Sequence, residues 1–179
     1  FVSSRMTEPI VIENKVIIGS ENNILCYRVS SGKKLWQKSI PLKSKLQPIG
    51  NKEGLLVVTV ENELILLSLK GHRKWSKKIA QSIHISPSLS DSQIIYFFSK
   101  DKDGIVSLTA MDQETGAIQW QNKSIVENND IYTLSIGPRD IIIRSTLERD
   151  IGQTKNRLYC IDQETGKEKW QYNFHLSRH

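Results

Sequence analysis

The chain contains four tryptophans, and each has a glycine four residues before it: Gly32 and Trp36, Gly71 and Trp75, Gly116 and Trp120, Gly166 and Trp170. Glycine is scarce, 10 in 179 residues, so four such coincidences have a chance on the order of 10^-5, and an internal repeat is the leading explanation. Successive tryptophans lie roughly 40 to 50 residues apart, the period of propeller blades and of some helical arrays. On this frame the chain divides into four units, about 8 to 42, 46 to 82, 85 to 130 and 131 to 176.

Local patterning decides for strands. Each unit has short runs rich in Ile, Val, Leu, Tyr and Phe, such as Val16-Ile17-Ile18, Leu55 to Val60, Ile94 to Phe98 and Ile141 to Ile143, bounded by Gly, Asn, Asp and Ser. None sustains a 3.6-residue period, so no helix is expected beyond a stray turn. Four strands can be drawn per unit. The first opens at a proline in Glu8-Pro9-Ile10, Gln47-Pro48-Ile49 and Ser86-Pro87-Ser88, with Leu134 in that place in the fourth unit. Proline has no amide to donate, so its recurrence marks strand entries. The second strand is the most apolar, as suits a strand covered on both faces. The third carries a slot for a small residue, Cys26, Ala110 or Cys160. This placement reads the two cysteines as buried small residues at one strand position, and not as a disulfide or metal ligands.

Third and fourth strands are joined by a turn that is the same in the last two units, Asp112-Gln113-Glu114-Thr115-Gly116 and Asp162-Gln163-Glu164-Thr165-Gly166. Asp and Thr side chains can accept from backbone amides within such a turn, and Gly can take the positive φ that closes it. The first unit has Ser30-Ser31-Gly32 there, and the second a shorter turn, Leu69-Lys70-Gly71. Each tryptophan then sits on a polar fourth strand. A lone indole in that setting is expected to bury itself against the adjacent unit.

The segment from Ala110 to Trp120 resembles the tryptophan-docking repeat of quinoprotein (PQQ-like) β-propellers, whose pattern is Ala, any, Asp, any, any, Thr, Gly, three of any, Trp. Cys160 to Trp170 match except for Cys in the Ala slot, Cys26 to Trp36 keep the spacing with Gly and Trp, and Leu66 to Trp75 are the weakest copy. The resemblance implies an all-β fold, a β-propeller of four-stranded antiparallel blades with four blades present. It also implies an arc from a seven- or eight-bladed ring, with residues 1–7 and 177–179 as termini or cut connections.

The resemblance further implies a non-catalytic scaffold for protein–protein interaction, similar to outer-membrane-assembly-type PQQ-like proteins and extracytoplasmic, periplasmic or secreted. Two alternatives stand beside it: a fragment of a PQQ-dependent dehydrogenase, and a sensory ectodomain of a membrane receptor or kinase. The dehydrogenases of this family use an eight-bladed ring, adjacent cysteines, a calcium held by Glu, Asn and Asp, and an Asp base. None of these can be carried onto positions of this chain, so no catalytic, cofactor-binding or metal residue is nominated and no cofactor is expected.

Lys and Arg number 25 against 19 Asp and Glu, for a net charge of +6. Basic residues gather at Lys33-Lys34, Lys43 to Lys45, His72-Arg73-Lys74 and Lys77-Lys78. These are read as solvated strand edges, where lysine discourages edge-to-edge pairing, or as a surface for an acidic protein partner. No nucleic-acid partner is expected. No apolar run approaches the ~20 residues of a membrane-spanning helix. An arc with unclosed ends would expose apolar faces, so self-association or completion by further blades is expected. His175 and His179 would share a face only if the tail were helical. Asn122-Lys123-Ser124 is a glycosylation sequon. Leu147 to Asn156 reads as a long connection between second and third strands of the last unit, with Arg149 and Asp150 as its candidate contact residues.

Overall fold

The computed structural model describes residues 6–43, 46–123, 131–149 and 153–175. Alternating apolar residues and turn clusters produce four antiparallel sheets, each a meander in chain order. The first contains β1 (Ile10–Ile12), β2 (Lys15–Gly19), β3 (Asn23–Arg28) and β4 (Lys34–Ser39). The second contains β5 (Ile49–Asn51), β6 (Gly54–Val58), β7 (Glu63–Leu67) and β8 (Arg73–Lys78). In the third, β10 (Ser88–Leu89), β11 (Ile94–Lys100), β12 (Val106–Asp112) and β13 (Ile118–Asn122) are joined by β9 (Ser82–Ile83), which pairs with the end of β11. The fourth contains β14 (Ile131–Ile136), β15 (Asp140–Arg149), β16 (Gln153–Asp162) and β17 (Glu168–His175). The four sheets form a four-blade propeller arc, and no helix occurs among the described residues.

The prolines stand immediately before β1, β5 and β10, where the missing amide costs no ladder bond. Entries of successive blades are tied together. The Glu8 amide donates to Gln47 Oε1 at 3.0 Å and the Gln47 amide to Ser86 Oγ at 2.8 Å. The middle strands carry the packing. In blade two Leu55, Val57, Ile65 and Leu67 face blade one, while Leu56, Val58, Leu64 and Leu66 face blade three. No blade has a core of its own. Three apolar clusters lie between blades one and two, two and three, and three and four. Each fully buried Leu or Ile contributes about 1.5–3 kcal/mol by leaving water, so cohesion is between neighbours.

One irregularity recurs. The register of third and fourth strands slips directly beside the tryptophan's cross-strand partner, after Cys26, Leu66, Ala110 and Cys160. A slip of this kind adds local twist and re-aims the outer strand, turning each indole off its own sheet. The recurrence explains why the small-residue slot and the tryptophan travel together in sequence.

The fourth blade corrects one expectation. Residues 147–156 are not a long loop: β15 and β16 continue as a paired ladder through Leu147 with Lys155, Glu148 with Thr154 and Arg149 with Gln153. Alternation such as Thr146, Glu148 against Thr154, Asn156 pairs as well as any other strand, and the polarity of the segment concealed it. Asp150 lies outside the described residues. The tail likewise is not helical as far as His175, which ends β17, and His179 lies outside the described residues.

Candidate functional site

The side chains singled out by the sequence converge on the joints between blades. The indole Nε1 of Trp36 donates to the carbonyl of Leu69 at 3.1 Å, that of Trp75 to Gln113 at 2.8 Å, and that of Trp120 to Gln163 at 2.8 Å. Each acceptor lies in the third-to-fourth strand turn of the following blade. The glycine of that turn lies under the ring. A Cβ on Gly71 would fall 2.9 Å from Trp36, on Gly116 3.2 Å from Trp75, and on Gly166 2.4 Å from Trp120. These glycines also have φ of 82°, 68° and 67°, a left-handed conformation that other residues rarely adopt. Glycine is therefore required twice, for the backbone and for the indole it receives.

The last two turns are braced as their sequences imply. Asp112 Oδ1 accepts from the Thr115 amide at 2.8 Å and its hydroxyl at 2.7 Å, and Asp162 Oδ1 from the Thr165 amide and hydroxyl, both at 2.9 Å. The Thr115 hydroxyl bond is the main influence holding the Asp112 carboxyl below its ordinary value. Asp162 is held down to about 2, first by Lys169, 3.0 Å away, and then by Thr165. Lys169 also bonds Asp140, and the two carboxylates push its ammonium pKa up.

Two glutamines escaped the sequence reading. Gln113 is buried and exchanges two amide hydrogen bonds with Asn51 of the preceding blade, at 3.1 and 3.0 Å. Gln163 accepts from the Tyr96 hydroxyl of the preceding blade at 3.4 Å and donates to the carbonyls of Gly137 and Asp140 within its own. Their one available signal was identity of residue type at the same place in both Asp-x-x-Thr-Gly turns. Two residues after Trp75 and Trp120, Lys77 Nζ donates to the Gly116 carbonyl at 3.0 Å and Asn122 Nδ2 to the Gly166 carbonyl at 2.7 Å. The sequon asparagine is thus engaged in a joint, while Ser124 lies outside the described residues.

Trp36, Trp75 and Trp120 dock on the next blade, as expected, and Trp170, on the last of the four described blades, is 47% exposed. The cysteines are buried and free, cross-strand partners of Trp36 and Trp170. Burial raises the pKa of both thiols, which keeps them protonated and poor nucleophiles.

The basic clusters do not merge into one patch. Lys33 and Lys34 are exposed at the start of outer strand β4, Lys74 caps the Glu53 carbonyl at 2.6 Å, Lys78 pairs with Glu61 at 3.5 Å, and Lys43 bonds Asn62 and Ser82 at 2.7 and 3.0 Å. Ser44 and Lys45 lie outside the described residues. Shallow cavities of about 530 and 650 Å³ open beside the inner strands, the first near Tyr96 and Gln163 and the second near Asn51 and Asp91. Among the described residues no three His, Cys, Asp or Glu are grouped to hold a metal, and no helix is long and apolar enough to cross a membrane.

The family described as outer membrane protein assembly factor BamB matches residues 20–177. The chain belongs to this family of PQQ-like repeat proteins. Among solved structures it is similar to BamB from Moraxella catarrhalis, at 14% identity and a TM-score of 0.58 over 89% of this chain and 58% of that one. Quinohemoprotein alcohol dehydrogenase from Comamonas testosteroni gives 14% identity and a TM-score of 0.69 over 95% of this chain and 35% of that one. The computationally designed Ika8 protein gives 12% identity and a TM-score of 0.65 over 92% and 48%. At these identities the likeness establishes the fold. The chain spans about a third to three fifths of the length of these proteins. No curated protein matches it.

Proposed function

We propose that the chain is a non-catalytic propeller module that scaffolds protein–protein contacts outside the cytoplasm, with blades about 8 to 42, 46 to 82, 85 to 130 and 131 to 176. The observation that carries this reading is the use made of the repeated side chains. Three of the four indoles, the turn glycines beneath them and both turn glutamines fasten one blade to the next, which yields a rigid frame whose loops and outer strands are left to meet a partner. The family match supports the same reading, since BamB is named for outer membrane protein assembly. The partner is a protein, and the exposed lysines of β4 and β8 suit an acidic surface.

The direct test is titration of the immobilised chain with a purified outer-membrane assembly apparatus. Saturable binding that weakens with salt and on Lys33→Glu with Lys34→Glu supports the proposal, and no binding opposes it. A second reading, part of a quinoprotein dehydrogenase, is favoured by the TM-score of 0.69 to such an enzyme. It predicts saturable quenching of tryptophan fluorescence by PQQ with calcium, which the scaffold reading does not.

A further inference from the structure

One joint keeps open a cleft that the preceding joint closes. Between blades three and four a cavity of about 530 Å³ is walled by Tyr96 and Gln119 of blade three and by Arg139, Gln163 and Glu164 of blade four. Its counterpart between blades two and three measures about 230 Å³. Gln119 holds the place of Lys74, each standing directly before its tryptophan. Arg139 holds the place of Gln93, the residue whose carbonyl accepts the turn glutamine's amide. In the smaller cavity Lys74 reaches the Glu53 carbonyl at 2.6 Å and lays its side chain over the opening. Gln119 is shorter and makes no such bond among the described residues. Both walls of the larger cleft belong to blades that the chain itself joins, through Trp120 and the Gln163 carbonyl.

The charges of this cleft fall into two groups. Asp162 and Lys169 satisfy each other at 3.0 Å. Arg139 and Glu164 are exposed, and neither side chain has a hydrogen bond or ion pair among the described residues. One guanidinium and one carboxylate therefore remain to be matched. A guanidinium fork takes a carboxylate by two parallel bonds, and a carboxylate takes an ammonium by a charge-assisted one. The Gln119 amide offers an unused donor and an unused acceptor, the complement of a peptide group. Ile94 and Pro138 supply apolar surface to the same cleft. Its floor is already satisfied, since buried Tyr96 donates to Gln163 at 3.4 Å, so a ligand seated there strands no polar group.

We propose that this cleft is a binding site for a short zwitterionic peptide, its carboxylate taken by Arg139, its ammonium by Glu164 and its peptide group by Gln119. Sites for small ligands run from roughly 300 to 1,000 Å³. The cleft between blades three and four lies inside that range, and the one between blades two and three lies below it. The smaller cleft also has Gln93 where Arg139 stands, so it offers Glu114 without the guanidinium. Two ionic contacts open to solvent give an expected dissociation constant of about 100 μM. The assignment does not rest on the scaffold reading above.

The test is calorimetric titration of the 179-residue chain with the dipeptide Ala-Leu up to about 5 mM, a range that saturates such a site. The expected result is one peptide per chain, with a change in tryptophan emission because Trp120 lies beside Tyr96, ring centroids 5.9 Å apart. Amidating the peptide's C-terminus should weaken binding ~10-fold, and so should Arg139→Gln, yet that substitution should not weaken the amidated peptide further. N-acetylation and Glu164→Gln form a second pair with the same logic. Gln119→Lys, which installs the residue that closes the smaller cleft, should abolish binding. All three positions are exposed, and urea midpoints matching the parent verify that the variants fold. No saturable heat over that range, full binding by Gln119→Lys, or additive losses when a blocked terminus meets its matching substitution overturns the proposal.

Discussion

The joint between blades one and two and the joint between blades three and four serve the same purpose with different means. In the first, Trp36 meets a shortened turn, Ser68 to Gly71, without the Asp and Thr brace, and its indole bond is 3.1 Å. In the second, Trp120 meets a turn braced by Asp162 and Thr165, its bond is 2.8 Å, and Gln163 and Asn122 add bonds of their own. What they share is an indole, a glycine with positive φ and a carbonyl. The comparison teaches that these three form the joint, and that the rest of the motif reinforces it.

The largest effect should come from filling the glycine. Gly166→Val places a Cβ 2.4 Å from Trp120 and strains φ, so urea unfolding should show a loss of about 3–5 kcal/mol from overpacking and backbone strain together. Gly32→Val, which meets nothing, should lose only the backbone part, about 1–2 kcal/mol in the dilute chain. Equal losses would break the distinction between occupied and empty turns. Next, Trp120→Ala should cost about 3 kcal/mol, whereas Trp170→Ala in dilute chain should cost under about 1 kcal/mol.

Smaller effects separate the reinforced joints from the bare one. Gln113→Ala removes both bonds to Asn51 and leaves its Nδ2 without that acceptor, while its Oδ1 keeps the Glu53 amide; the expected loss is about 1–2 kcal/mol, and its near-absence would make the amide pair incidental. Smallest is the response to acid. Asp112 and Asp162 both have lowered carboxyl pKa values, Asp162 down to about 2 from 3.8. A depressed carboxylate lends stability above its ordinary value and loses it as pH falls through its folded value. Melting temperature should therefore decline between about pH 4 and pH 2. Asp112→Asn with Asp162→Asn should flatten that decline, and an unaltered slope would remove the turns as its source.

The glycine-to-tryptophan frame was legible because each residue type has one physical reason for its place, and few other residues could serve. The strand entries were legible from Pro9, Pro48 and Pro87 for the same reason. Gln113 and Gln163 were not, since a glutamine in a surface turn looks alike whether it faces water or a neighbouring blade, and only the packing of blades decides. The β15–β16 extension was missed because polar residues in a two-stranded ladder carry no apolar alternation to mark them.

The separateness of the three apolar clusters has a consequence for how such a chain can change. Every blade offers a socket on one side and a plug on the other, so duplicating a blade inserts a matched pair and deleting one removes a matched pair. Neither event leaves an orphan. Nothing in the chemistry of a joint counts the blades, and the count is therefore set by the wedge angle at which neighbouring sheets meet.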